Sequence, residues 1–184
     1  GIQPDIIVLR AEHELNEGLR KKVASFCNVD FNAVVQSIDL PTIYEVPLSM
    51  QAQGLDSTIL RKMGIEPGET PGLGPWRAFL ERRHKATEVV NIGLVGKYDL
   101  QDAYKSILES LSQAGTYNDR KVVPCFINSE KLFNNNVEEK LKNMDGIVIC
   151  PGFGQRGIEG KIVAAKYCRE HNIPTFGICL GMQM

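Results

Sequence analysis

Between residues 89 and 178 four short apolar runs alternate with three helical patterns, and this alternation restricts the fold more than any other feature. The runs are 89–95, 121–127, 146–150 and 174–178; the helical segments are 102–114, 136–143 and 158–170. In the first helix Ala103, Ile107, Leu108, Leu111 and Ala114 share a face, with Asp99 as its cap and Gly115 as its end. Val137 and Leu141 point inward from the second. Strands that alternate with helices predict a parallel sheet with right-handed crossovers. In such sheets chemistry sits beyond the carboxyl ends of the strands. That rim carries Gly96-Lys97-Tyr98, the loop 151–157 and Cys179.

The last run leads into Gly177-Ile178-Cys179-Leu180-Gly181. A cysteine with a glycine two positions to either side, at a strand end, is the pattern of a nucleophile elbow. The glycines let backbone approach backbone where a Cβ would clash. The turn lifts the sulfur out of the sheet edge, and free N–H groups of the following turn favour thiolate and hold an oxyanion. Acyl chemistry at a cysteine needs an oxyanion hole with two donors. The N–H of Leu180 is one candidate, and the loop Gly152-Phe153-Gly154 supplies the other. A buried structural cysteine is the competing reading of Cys179.

A base for Cys179 is harder to find. The histidines are His13, His84 and His171. His171 precedes the final strand, so about 3.3 Å per residue separates it from Cys179 by roughly 26 Å. His84 also precedes a strand, and His13 lies in another segment. None is expected to activate Cys179, and the chain as it stands is expected neither to turn over nor to be stable alone, its last strands being uncovered.

The first third reads differently. Residues 5–9 form a strand, apolar enough for burial on both faces. Leu15, Leu19, Val23 and Phe26 line one face of a helix, with Arg20, Lys21 and Lys22 opposite. Residues 33–35 form a second strand and 43–46 another extended piece ended by Pro47. Residues 48–63 read as one helix capped by Gly64. Glycine and proline then crowd residues 64–75, the composition of a linker. The expected division is 1–63, a linker over 64–86 in which Trp76 packs against a domain, and 87–184.

A net charge of −1 argues against nucleic acid or an acidic membrane as partner. No apolar run is long enough to span a membrane and no signal peptide is visible. Five cysteines without a C-x-x-C pair suggest a reduced, cytoplasmic protein, with Cys125 and Cys150 in the core. No cluster has zinc spacing, so no metal site is expected.

The elbow and the glycine loop resemble those of class I glutamine amidotransferases. The whole chain resembles the CTP synthase family, through Gly1-Ile2-Gln3-Pro4-Asp5-Ile6, Ser25-Phe26-Cys27-Asn28-Val29, Gln53-Gly54-Leu55-Asp56, Val95-Gly96-Lys97-Tyr98, Asp102-Ala103-Tyr104-Lys105-Ser106 and the stretches 151–161 and 172–183. The resemblance implies an α/β fold: a flavodoxin-like glutaminase domain with a parallel sheet, preceded by the end of a P-loop-type synthetase domain. It covers only the middle of the family's length, without the upstream phosphate loop or the downstream His-Pro-Glu.

The family is a ligase of pyrimidine biosynthesis that aminates UTP to CTP with ATP, Mg²⁺ and ammonia from glutamine, activated by GTP, and forms homotetramers. By resemblance Cys179 is the nucleophile, and Gly152, Leu180, Gly181, Met182 and Gln183 surround the glutamine and the oxyanion. Lys22 falls at the UTP or CTP site. Arg10, Ile38, Asp39 and Leu40 fall at the ATP site, and Lys97, Arg156 and Gly157 near the GTP effector. The Mg²⁺ ligands lie outside this chain. One departure is Cys150-Pro151-Gly152-Phe153-Gly154 where the family reads Pro-Gly-Gly-Phe-Gly, a proline in place of the first glycine. The alternatives are another class I amidotransferase, opposed by the first sixty residues, and a non-catalytic nucleotide-binding or assembly module. As residues alone, Lys22 is a solvated helix face, Arg10 a partner for Glu12 or Glu14, Asp39 a turn residue, and Lys97-Tyr98 strand-end packing.

Overall fold

Among the described residues every strand pair is parallel. The computed structural model describes residues 2–98 and 101–184. Contacts divide the chain into two units, Gly1–Trp76 and Arg77–Met184.

In the first unit β1 (Ile7–Arg10) precedes α1 (Glu17–Phe26), and β2 (Val34–Ser37) pairs with β1 from Ile7↔Val34 to Arg10↔Ser37. Burial along β1 alternates and Val8 is half exposed, against the expectation of a strand buried on both faces. Asn16 caps α1 by accepting the Leu19 N–H. The inward face of α1 is not the expected one. Phe26 is 90% exposed, whereas Arg20 turns inward, donates to the Val34 carbonyl at 2.7 Å and lies over the Phe31 ring. A guanidinium that satisfies a strand carbonyl and stacks on an aromatic competes well with an alkyl side chain for that position.

The segment expected to be extended over 43–46 is a 3₁₀ turn, Ile43–Glu45, running into α2 (Val46–Ala52). Pro47 sits in the first turn of α2, where its missing N–H costs nothing, instead of ending a strand. The single helix expected over 48–63 is two, α2 and α3 (Leu55–Lys62), because Gly54 takes φ 72°. The break frees Gln53 to bind β2. Its Oε1 accepts the Gln36 N–H at 2.8 Å and its Nε2 donates to the Gln36 carbonyl at 2.8 Å. One side-chain amide thus replaces a neighbouring strand at that point. Gly64 does end α3: its N–H reaches the Arg61 carbonyl at 3.0 Å and the Ile65 N–H reaches Leu60 at 2.9 Å, the two bonds of a Schellman cap. α4 (Gly74–Lys85) begins at the end of this unit and continues into the second, and Trp76 donates through its indole N–H to the Tyr44 carbonyl at 2.8 Å.

The second unit contains β3 (Val89–Gly96), α5 (Lys105–Tyr117), β4 (Lys121–Asn128), α6 (Val137–Leu141), β5 (Gly146–Ile149), α7 (Ile158–Glu170) and β6 (Thr175–Gly177). Its four-stranded sheet has the order β4-β3-β5-β6. Ile147 and Ile149 enter one core with Leu141, Ala164 and Cys168; Val148 and Cys150 enter the other with Leu94 and Tyr104. This is the period-two division of a strand buried on both faces. Cys150 is fully buried as expected, while Cys125 on the outer strand β4 is only half-buried.

Gly115 does not end α5 but lies buried inside it. A Cβ there would come within 2.8 Å of the Arg120 carbonyl oxygen, so the glycine serves the close return of the chain onto β4. Asp99, the expected cap, lies outside the described residues. No described helix is long and apolar enough to cross a membrane.

Candidate active site

β6 ends at Gly177, Ile178 pairs its N–H with the Ile149 carbonyl at 3.0 Å, and a 3₁₀ turn runs over Cys179–Met182. Cys179 sits at the head of that turn with φ 53° and is exposed. A left-handed cysteine is strained by roughly 1–2 kcal/mol, and strain of that kind collects at functional turns. The two glycines are required for a visible reason. A Cβ on Gly177 would lie 2.4 Å from the Gly181 carbonyl oxygen, and one on Gly181 would lie 2.1 Å from that of Ile149. The turn is folded back against its own strand and against β5. Leu180 is its second residue, so its N–H has no acceptor inside the turn.

The glycine loop leaves the neighbouring strand β5. Gly152 has φ 152° and Gly154 φ 75°, regions that side chains rarely adopt. Two lysines lie beneath it. Lys97, 8% exposed, donates to the Phe153 carbonyl. Lys161, 1% exposed, donates to the Cys150 carbonyl at 2.8 Å. Burial holds the Lys161 ammonium below its ordinary range. Burial also pushes the Cys150 thiol up to about 12, so Cys150 is a neutral packing group. Sequence reading passed over Lys161, although a signal was present: it lies three and seven residues before the buried Ala164 and Cys168 on one helical stripe.

The residues expected near an effector, Lys97, Arg156 and Gly157, also meet. Lys97 Nζ lies 5.3 Å from the Tyr98 ring centroid and the Arg156 guanidinium 5.9 Å from it. Arg156 is paired with Glu130 at 3.1 Å. A Cβ on Gly157 would touch Lys97 Cβ at 3.3 Å. Met182 and Gln183 are exposed beside the elbow, and Gly181 is buried in it.

His171 is held at the opposite end of β6. It follows α7, stacks on Tyr167 with ring centroids 4.0 Å apart, and places Nδ1 2.9 Å from the Tyr167 carbonyl. In the first unit Arg10 forms an ion pair with Asp39 and donates to the Ala11 carbonyl at 2.7 Å. It does not turn to Glu12 or Glu14. Arg10, the last residue of β1, and Asp39, just past β2, thus come together at the carboxyl ends of the two strands, with Ile38 and Leu40 either side of Asp39. Lys22 is exposed on α1. Among the described residues no group of three His, Cys, Asp or Glu side chains can hold a metal ion.

Two family models match the chain: CTP synthase N-terminus over residues 1–65 and glutamine amidotransferase class-I over residues 99–184. The CTP synthase of Bacteroides thetaiotaomicron is 76% identical over all of this chain and 34% of its own length. That of Porphyromonas gingivalis ATCC 33277 is 61% identical over the same shares. A solved Trypanosoma brucei CTPS glutaminase domain with bound acivicin aligns with a TM-score of 0.47 and 39% identity, covering 51% of this chain and 38% of that one. The chain therefore spans about a third of the length of the curated relatives it matches. It belongs to the CTP synthase family, as a segment running from the N-terminal domain into the class-I glutamine amidotransferase domain.

Proposed function

We propose that the chain is part of an ATP-dependent ligase that aminates UTP to CTP, with ammonia released from glutamine at Cys179. The observation that carries this is the left-handed, exposed Cys179 at a strand end, locked between two glycines by backbone contacts. The Cys179 thiolate attacks the carboxamide carbon of glutamine. The carbonyl oxygen gains the charge, and the Leu180 N–H and the Gly152 loop accept it as hydrogen-bond donors. Collapse breaks the C–N bond, and the nitrogen leaves as ammonia after taking up a proton. Water then cleaves the thioester, releasing glutamate and restoring the thiol. The proton acceptor for the thiol is neither Cys150, a neutral thiol, nor His171, held at the far end of β6.

Gly181, Met182 and Gln183 border the glutamine in this reading. ATP is met by Arg10, Asp39 and the flanking Ile38 and Leu40, and UTP or CTP by Lys22. Lys97, Arg156 and Gly157 form the surface through which GTP acts, and the assembled enzyme is a cytoplasmic homotetramer. ATP phosphorylates a uracil oxygen, which ammonia displaces. The described residues offer no group of three His, Cys, Asp or Glu side chains for Mg²⁺.

The test exchanges this segment into the full-length Bacteroides thetaiotaomicron enzyme. A glutamine-analogue electrophile should label Cys179 alone, and Cys179→Ala should abolish glutamine-dependent CTP formation while leaving ammonia-dependent formation. Glutamine-dependent activity in Cys179→Ala would refute the assignment.

A further inference from the structure

Lys161 is a buried cation in an unfavourable place. It lies in the first turn of α7, where the helix dipole opposes positive charge, and it is 1% exposed. Among the described residues neither it nor Lys97 forms an ion pair with a carboxylate. An unpaired buried ammonium is costly, and a methionine would fill the space of its stem without that cost. What the two ammonium groups do contact is one loop. Lys161 holds the carbonyl of Cys150 and Lys97 that of Phe153, the residues on either side of the Pro151-Gly152 turn. Between these anchors Gly152 takes φ 152°. A Cβ on Gly152 would lie 3.2 Å from Lys97 Cε and 3.7 Å from Lys161 Nζ, so both side chains end directly against that turn.

We propose that Lys161, together with Lys97, is a positioning residue for the oxyanion-binding loop: the two buried ammonium groups clamp the Cys150 and Phe153 carbonyls and so fix the peptide orientation of the Gly152 turn between them. This rests on the reading of Cys179 as the nucleophile of glutamine hydrolysis. The reason a cation is used is geometric. A peptide unit can rotate to exchange its N–H for its C=O, and a loop that did so would present an acceptor to the oxyanion. Charge-assisted bonds to the flanking carbonyls resist that rotation, because a flipped carbonyl would leave a buried ammonium with no acceptor. Lys161 does not touch the substrate in this scheme.

The test compares two reactions of Cys179 in the full-length Bacteroides thetaiotaomicron enzyme carrying this segment. Glutamine hydrolysis passes through an oxyanion. Alkylation by iodoacetamide does not, since sulfur displaces iodide from carbon directly. Lys161→Met keeps the unbranched stem as far as Cε and removes the ammonium. It should lower kcat for glutamine by roughly 10- to 100-fold with KM little changed, and leave the alkylation rate of Cys179 as in the parent. Lys97→Met should show the same selective loss, and Lys161→Arg should recover part of kcat.

An unchanged kcat in Lys161→Met overturns the proposal. So does a parallel fall in hydrolysis and alkylation, which would mark a residue needed for folding or for the thiol itself. Glutaminase activity in Cys179→Ala would instead remove the underlying reading, so the two failures are distinguishable.

Discussion

Gly181→Ala is the substitution whose consequence follows most directly from the geometry. Its Cβ would lie 2.1 Å from the Ile149 carbonyl oxygen, 2.7 Å from the Ile149 carbonyl carbon and 3.0 Å from Ile149 Cγ2. Ordinary contact begins near 3.4 Å, so the turn must retreat by about 1.3 Å. Two of the three obstructing atoms are backbone, and the oxygen already accepts the Ile178 N–H at 3.0 Å. No flexible side chain can yield, so the elbow moves and Cys179 with it. Overpacking of this kind costs about 1–3 kcal/mol, against a gain of up to ~1 kcal/mol for alanine over glycine in a helical turn. Packing therefore wins. A displacement of about 1 Å in a reacting group costs on the order of 10²-fold in rate. Glutamate release by the full-length enzyme carrying Gly181→Ala should fall by roughly that factor, whereas Gly72→Ala, with nothing within 4 Å of its Cβ, should not change it. Parent-like glutaminase activity in Gly181→Ala would show that the elbow does not rest on Ile149.

Three further outcomes are expected. Gln53→Leu removes both side-chain bonds to the Gln36 backbone and should destabilise the first unit by about 2–4 kcal/mol, a buried donor and acceptor being left unpaired; urea unfolding followed at Trp76 would measure it. Arg82 grips Asp119 through two bonds of 2.9 and 2.8 Å and holds its carboxyl below the usual range. A depressed folded pKa means that the stabilisation is present above the unfolded value, ~3.9, and is lost as pH falls through the lower folded value. The difference in melting temperature between the parent and Asp119→Asn should therefore be largest near neutral pH and vanish in acid. In thiol titration at pH 8, Cys179 should react in the native protein and Cys150 only after urea is added, because Cys150 is fully buried and its pKa is pushed up to about 12.

Much of this molecule is local, and for that reason legible. The parallel α/β character of the second unit follows from apolar runs separated by helical periods, and α7 begins and ends where its pattern does. The elbow is legible because glycine at both flanks of a cysteine has few other uses, and Gly64 because a left-handed cap is a one-residue requirement. What misled was equally local in appearance. Pro47 reads as a strand end and opens a helix; Gly115 reads as a helix end and lies within one. For Pro47 the reason is its place in the first helical turn, where no N–H is needed; for Gly115 the deciding contact comes from the return of Arg120 and Val122.

The sequence by itself determined the order of strands and helices in the second unit, the position of the elbow and the glycines it needs, since these depend on backbone freedom and on the period of burial. Only the tertiary structure decided which side chains meet. It turned Arg20 inward and Phe26 outward, paired Arg10 with Asp39, bound Gln53 to Gln36 across a helix break, and drew Lys97 and Lys161 from two separate elements under one glycine loop. A lysine on a helix has the same local propensity whether it faces water or a buried carbonyl. The difference arises only when another strand brings that carbonyl to it.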